Sequence, residues 1–434
     1  MEKKRLVEKA QVHLHRLCTE IGERRVGSPG NRQATAYAEK VLKERGWNTE
    51  TTELSVMDWK TEGITLTCNG KSFIAFSSPY SLGCAVNGAL VAIERIEQLE
   101  QLEQSDINDK IVLLHGEISA QQIAPKHFPF WNPEAHQHLI ALLEKSHPKA
   151  LICATGRDSA TAGGAYPYPL FEDGDFDIPS VYMKDTEGER MLAHTGHTAE
   201  LISKAERIPE TAYNLIATQP GHHMAASNLM SSPSLDSSRY HTTALRNPQP
   251  SERIVISAHI DAKIGTPGAI DNGTGVTILL LLAELLNHHP GNYPIELVFF
   301  NGEDYYSAPG QVKYLEQNSE KLNNILLNIN IDGAGYKEGL SCFSPFELPD
   351  RLNTALQQLF RETPEIVEGL PWYQGDHSIF LQNGRPAIAV SSQWFIEHME
   401  SQEITHTPKD RPEIVDYEKV ADCALGIAAF IRKL

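Results

Sequence analysis

A histidine and an aspartate two residues apart, His259 and Asp261, sit in the stretch SAHIDAKIGTPGAIDNGTG, and Asp271 follows in a turn rich in Gly and Asn. Farther along come Glu303 and Asp304 in NGED, Asp332 in NIDGAG, and His406 in ITHTPKD. Neutral imidazole and carboxylate oxygen are the ligand types that zinc-like ions take. Two such ions about 3.5–4 Å apart need a shared carboxylate, because their charges repel. One further acid must stay off the metals to carry protons. The set His259, Asp271, Glu303, Asp304, Asp332 and His406 meets that count. Asp261 is placed to orient the His259 imidazole from behind. The plainer readings are a solvated polar turn and, for Asp271-Asn272-Gly273, a helix cap before VTILLLL. A lone carboxylate after the apolar run ILLNINI would be costly unless paired, which favours the metal reading of Asp332.

The elements that must position these side chains are legible as apolar runs. RIVISA ends at His259, IELVFF runs into Glu303-Asp304, NILLNINI runs into Asp332, and PAIAVSS leads through a loop to His406. Each is predicted to be a strand. VTILLLLAELLNHH and YEKVADCALGIAAFIRKL lie between and after them and are predicted to be helices. Apolar strands alternating with helices make a sheet covered on both faces. Ligands bind outside the carboxyl ends of the strands in such a sheet, which is where the candidate residues fall. Helices are also predicted over 4–22 and 31–46, separated by the turn-rich ERRVGSPGN, with strands over 49–57 and 212–218. Residues 222–250 are polar and read as a long loop.

Between about 61 and 204 the texture changes to short strand-like runs: GITLTC, SFIAFS, GALVAI, KIVLLHG, KALICAT and PSVYM. One very polar helix, IERIEQLEQLEQSD, interrupts them and reads as a solvated face. This section is expected to be a separate α/β or β-rich module. With 434 residues, more than one domain is expected. The formal net charge of −18 argues against nucleic acid or an anionic membrane as the main partner. The N-terminal stretch lacks the apolar segment of a secretory signal, no apolar run is long enough to span a bilayer, and the six cysteines are scattered without a CxxC pair. The expectation is a cytoplasmic protein whose cysteines are ordinary thiols.

Taken in order, HID, GAIDNGTG, NGED, NIDGAG and the late HT resemble the di-zinc aminopeptidase family, which includes bacterial leucyl aminopeptidases, glutamate carboxypeptidases and glutaminyl cyclases. RRVGSPGNRQATAYAEKVLKERG and GDHSIFLQNGRPAIAV share the resemblance. It implies an α/β fold: a zinc-exopeptidase α/β/α sandwich with a mixed, mostly parallel central sheet. Residues 1–60 and 205–434 would form that catalytic domain. INDKIVLLHGE, HPKALICATG and DIPSVYMKDTEGERML resemble the protease-associated domain, so 61–204 would be an inserted, smaller, β-rich module beside the cleft.

The resemblance also implies roles: His259 and Asp332 on one ion, Asp304 and His406 on the other, Asp271 as the bridge and Glu303 as the general base. The cofactors implied are two divalent ions, Zn2+ in the family, and the substrates are peptides with a free N-terminus. In relatives the peptide bond after the bridging aspartate is cis. Three departures stand out. Asp304 replaces the commoner Glu, YYSAPGQ replaces a Gly-Leu-rich loop, and Thr405 stands where some relatives carry a Tyr that can stabilise the oxyanion. A carboxypeptidase on the same scaffold would need a cationic clamp such as Arg385 or Arg411. A glutaminyl cyclase would use one zinc, and a non-catalytic binding module would have lost ligands. His398, the pairs His222-His223 and His288-His289, and Asp376 with His377 are secondary candidates, and a homo-oligomer stays open.

Overall fold

The computed structural model describes residues 2–102, 107–156, 168–219, 252–289, 291, 293–399 and 401–434. In chain order the strands are β1 (Asn48–Cys68), β2 (Lys71–Phe73), β3 (Phe76–Ser77), β4 (Cys84–Ile93), β5 (Ile111–Leu114), β6 (Ala150–Thr155), β7 (Ser180–Lys184) and β8 (Thr198–Gln219). They continue as β9 (Arg253–His259), β10 (Ile295–Phe300), β11 (Ile325–Ile331), β12 (Ser341–Phe346), β13 (Ile366–Glu368) and β14 (Ala387–Ser392). Pairing runs β13-β12-β14-β11-β9-β10-β8, then on through β4-β5-β6-β7-β3. β9 is parallel to both β10 and β11, and β11 is parallel to β14. β8 joins β10 antiparallel, and β12 joins β14 antiparallel. The central sheet is therefore mixed and mostly parallel, in keeping with the expected architecture.

Alternation along the strands explains why helices cover both faces. Ile254, Ile256, Leu297 and Phe299 pack into one core with Leu6, Ala34, Leu279 and Ile427. These last four belong to the helices Glu2–His15, Pro29–Glu44, Thr274–Leu285 and Tyr417–Arg432. The intervening residues Val255, Val298 and Phe300 pack the other way, with Tyr314, Ile379 and Phe380 from helices Pro309–Asn318 and His377–Gln382. Helix Thr274–Leu285 has only Glu284 outside the buried class, which its run of leucines requires. Ser28 caps Pro29–Glu44 by accepting from the Asn31 N–H, with Pro29 at the first helical position.

Residues 61–204 carry their own apolar clusters. β4, β5, β6 and β7 form successive parallel pairs, with helices Ile96–Gln101, Glu134–Ser146 and Asp185–Leu192 along the same segment. Its regular structure is therefore α/β. The long antiparallel pair β1–β8 crosses both expected boundaries, at 60/61 and 204/205, with one register shift between Thr61 and Ile64. GITLTC is thus the far half of β1, not a strand of its own. The predicted helix over 4–22 ends as an α-helix at His15 and continues as a π-turn over Arg16–Ile21. The polar helix is short, Ile96–Gln101, and buries Leu99. The loop 222–250, with His222 and His223, lies outside the described residues.

Candidate metal centre and active site

Three adjacent parallel strands deliver the first candidate residues. His259 ends β9, Glu303 and Asp304 follow β10, and Asp332 follows β11. Asp271 lies in the turn before helix Thr274–Leu285, and His406 lies in the loop after the short helix Gln393–Glu397 that follows β14. All converge. Asp271 Oδ1 is 3.1 Å from His259 Nε2, and Asp271 Oδ2 is 3.1 Å from His406 Nε2. His259 Nε2 is also 3.6 Å from Asp332 Oδ1 and 3.9 Å from Glu303 Oε2. His406 Nε2 is 2.9 Å from Asp304 Oδ1. One carboxylate therefore faces two imidazoles, and each imidazole has a carboxylate of its own.

The donor set fits divalent cations. Two groups, His259–Asp271–Asp332 and Asp271–Asp304–His406, each hold ligand atoms within 4.8 Å of one another. His259, Glu303 and Asp304 form a third group by the same measure, which keeps Glu303 in the same space. His259 is fully buried, yet neither ring nitrogen makes a well-aligned hydrogen bond. A buried imidazole left so is costly, and a cation held with the facing carboxylates would satisfy it. Asp271, Asp304, His259, His406 and Asp332 are the residues that would hold such ions.

Charge explains the titration of the cluster. Burial works to lower His259 and His406, and the facing carboxylates override it, holding both well above the ordinary histidine value. Burial works to raise Asp271, but contact with His259 and His406 holds it below the usual carboxylate range. Burial, opposed by His259 and reinforced by Asp304, Asp332 and Asp376, pushes Glu303 well above that range. Burial also raises Asp332. These shifts share one cause, several carboxylates buried together, whose negative charge divalent cations would neutralise.

Several residues that sequence reasoning misses hold the loops in place. The buried carboxylate of Asp410 accepts from the N–H of Ile270 at 2.7 Å and of Asp271 at 3.0 Å. The fully buried Arg24 donates to the carbonyls of Ile260, Pro267 and Gly268 at 3.1, 2.7 and 2.7 Å. Asn272 donates to Ile331 O at 2.7 Å, tying the loop that carries Asp271 to the strand before Asp332. Its peptide bond with Asp271 is cis, as the resemblance implies. Asp261 differs from expectation. It lies 3.7 Å from His259 Nδ1, wider than a hydrogen bond. Its oxygens instead accept from the N–H groups of Gly302 and Asp304, at 2.7 and 3.0 Å. It positions the Glu303–Asp304 turn.

Of the secondary candidates, His398, Asp376 and His377 have other partners. His398 stacks on Trp394 and bonds its carbonyl through Nδ1 at 2.8 Å. His289 donates its backbone N–H to Leu286 O at 3.0 Å, just beyond the end of helix Thr274–Leu285. Neither His288 nor His289 nor His398 belongs to any of the three potential ligand groups among the described residues. Asp376 is buried and accepts from Gln311 Nε2 at 2.6 Å, and burial pushes its carboxyl up to about 7. His377 bonds Trp372 O through Nε2 at 2.8 Å, with the rings of Trp372 and Phe346 beside it. The Thr405 hydroxyl accepts from Gln402 Nε2 at 2.6 Å.

Glu303, Asp304 and His406 open into a cavity of about 570 Å³ between the rim and residues 61–204. Trp59, Phe76, Phe128, Trp131, Tyr305 and Tyr306 contribute to its walls. Lys263 lines it too, paired with Glu172 at 2.7 Å, whereas Arg385 and Arg411 are not among the lining residues.

Comparison with known proteins agrees with this fold. An aminopeptidase from Aneurinibacillus sp. strain AM-1 superposes with a TM-score of 0.72 at 19% identity, covering 99% of this chain and 94% of that one. A zinc aminopeptidase from Bacillus subtilis superposes with a TM-score of 0.68 at 16% identity, covering 98% and 94%. These likenesses establish a shared fold. In sequence, a probable lipoprotein aminopeptidase of Mycobacterium tuberculosis is 24% identical over 319 residues, covering 72% of this chain and 55% of its own length. The chain spans less than two thirds of the length of the curated relatives it matches. Residues 241–431, which carry every one of the converging side chains, match the family described as peptidase family M28.

Proposed function

We propose that this chain is a metal-dependent aminopeptidase that uses two divalent ions, most simply zinc, and Glu303 as its proton carrier. The observation that carries the reading is Asp271, whose two oxygens each lie 3.1 Å from a different histidine. A carboxylate so placed suits a bridge between two ions. When bound, the ions supply Lewis acidity that polarises a peptide carbonyl and makes a water acidic. Glu303 stands beside that space, 3.9 Å from His259 Nε2, and lines the cavity that a substrate would enter. It would accept the proton of the attacking water and pass it to the leaving amine. Asp261 would keep Glu303 in reach through the Gly302 and Asp304 N–H groups.

The acidic rim suits a substrate with a free α-ammonium group. The carboxypeptidase alternative loses support because neither Arg385 nor Arg411 lines the cavity. The relatives reported above are aminopeptidases by name, which points the same way. We place the enzyme in the cytoplasm, a reading supported by six free thiols. Among the described residues no helix is long and apolar enough to cross a membrane. Residues 61–204 are taken as an inserted module that roofs the cleft. Glu303→Gln tests the mechanism: metals stay bound and release of N-terminal residues is lost.

A further inference from the structure

The sequence YYSAPGQ, which overlaps the turn directly after the acidic pair, packs against the segment 61–204. Tyr305 and Tyr306 follow Asp304 directly, and their rings lie 4.2 Å apart. Tyr80, from the segment 61–204, packs on both, with centroid distances of 5.0 Å to each. Tyr305 Oη accepts from the Met57 N–H at 2.7 Å. Gly174 lies so close to Tyr306 that a Cβ there would meet the ring at 2.4 Å. Tyr80 itself is held at φ 61°, a left-handed conformation that a bulky residue adopts only under constraint. The constraint is visible: Arg207 Nε donates to Tyr80 O at 2.6 Å, while its other nitrogens reach Phe176 O and Asp177.

A second link lies nearby. Lys263 Nζ pairs with Glu172 Oε1 at 2.7 Å, and the Lys263 N–H donates to Asp304 Oδ2 at 3.1 Å. The residue that binds the roof thus also holds a candidate ligand. Both side chains are largely buried, at 22% and 12% exposure, so the pair is shielded from solvent.

From these contacts we infer that Tyr80 and Glu172 are positioning residues. Through Tyr305, Tyr306 and Lys263 they fix the Glu303–Asp304 turn, so the segment 61–204 completes the catalytic geometry as well as walling the cleft. This rests on the roles proposed for Glu303 and Asp304. A roof that only bounds the cavity would affect substrate fit, and its loss would appear in KM. A roof that fixes the base and a ligand would affect turnover and metal retention, since a displacement of about 1 Å can cost about 100-fold in rate.

The test uses the metal-loaded full-length protein as wild type, Tyr80→Ala, Tyr80→Phe, Glu172→Gln and Glu303→Gln. Three assays are run: steady-state kinetics on a free N-terminal peptide, giving kcat and KM; zinc affinity against a chromogenic chelator; and hydrogen exchange over residues 301–308. The expected result for Tyr80→Ala is a kcat lowered about tenfold or more, with weaker zinc binding and faster exchange. Tyr80→Phe restores kcat, zinc binding and exchange, and Glu172→Gln weakens zinc binding without the aromatic loss. Changes in KM alone, or wild-type exchange and zinc affinity in both Tyr80→Ala and Glu172→Gln, would overturn the inference. If Tyr80→Ala does not fold, Glu172→Gln decides. Full turnover by Glu303→Gln would instead remove the base assignment, while exchange and zinc affinity would still decide whether the turn is held from the roof.

Discussion

Asp410→Asn is the sharpest probe of how Asp271, the proposed bridge, is held. Asp410 is fully buried, and its two oxygens accept from two consecutive N–H groups, Ile270 at 2.7 Å and Asp271 at 3.0 Å. An Asn side chain has nearly the same shape but only one acceptor oxygen. Its amide would face the other N–H, leaving a buried donor unsatisfied at a cost of about 1–3 kcal/mol. The loop can relieve this cost by moving, and the residue that moves with it is Asp271. Its oxygens then leave their places between His259 and His406. Metal affinity should fall about 10–100-fold, the usual effect of losing a group that orients a ligand. Urea unfolding of the metal-free protein reads the stability loss, and zinc competition with a chromogenic chelator reads the affinity. If Asp410→Asn binds zinc as tightly as wild type while losing stability, Asp410 supports the fold without placing the bridge, and the reasoning fails.

His406→Ala should remove one equivalent of bound metal per chain, whereas His398→Ala, which removes a ring stacked on Trp394, should retain the full complement; elemental analysis after dialysis distinguishes them. His377 gives a pH signature: burial pushes its imidazole down to about 4, below the ordinary value of 6.5. The unfolded chain therefore binds the extra proton first, so stability should fall as pH drops from about 6.5 to about 4, by up to about 3 kcal/mol from this residue. Chemical denaturation of wild type and His377→Gln across that window should differ in slope, and equal slopes would contradict the buried neutral ring.

His259, Glu303, Asp304 and Asp332 are legible in the sequence because each lies at or just beyond the end of an apolar run. RIVISA, IELVFF and NILLNINI are β-strands buried on both faces, and such runs end where polar residues face solvent or a ligand. Local order also marks the Gly- and Asn-rich turn around Asp271. What escapes the sequence depends on contacts between distant segments. Nothing local tells Asp410, in a run of charged residues, that it will accept from an N–H group 140 positions earlier. Arg24 reads as a turn residue until the loop 260–268 closes around its guanidinium. The change in texture at 60/61 reads as a boundary, whereas the pairing of β1 with β8 continues past it through a register shift at Thr61/Ile64. Proximity in sequence pairs Asp261 with His259, but two N–H groups from the turn after the next strand bind it more closely.

The most direct test of the central claim is mass spectrometry of the products from peptides with free or blocked N-termini. Wild type, chelator-treated wild type and Glu303→Gln are run side by side. The account predicts stepwise loss of N-terminal residues from unblocked peptides by wild type alone, with Glu303→Gln inactive but still metal-loaded. Cleavage that survives the chelator, loss of residues from C-termini, or undiminished turnover by Glu303→Gln would contradict it.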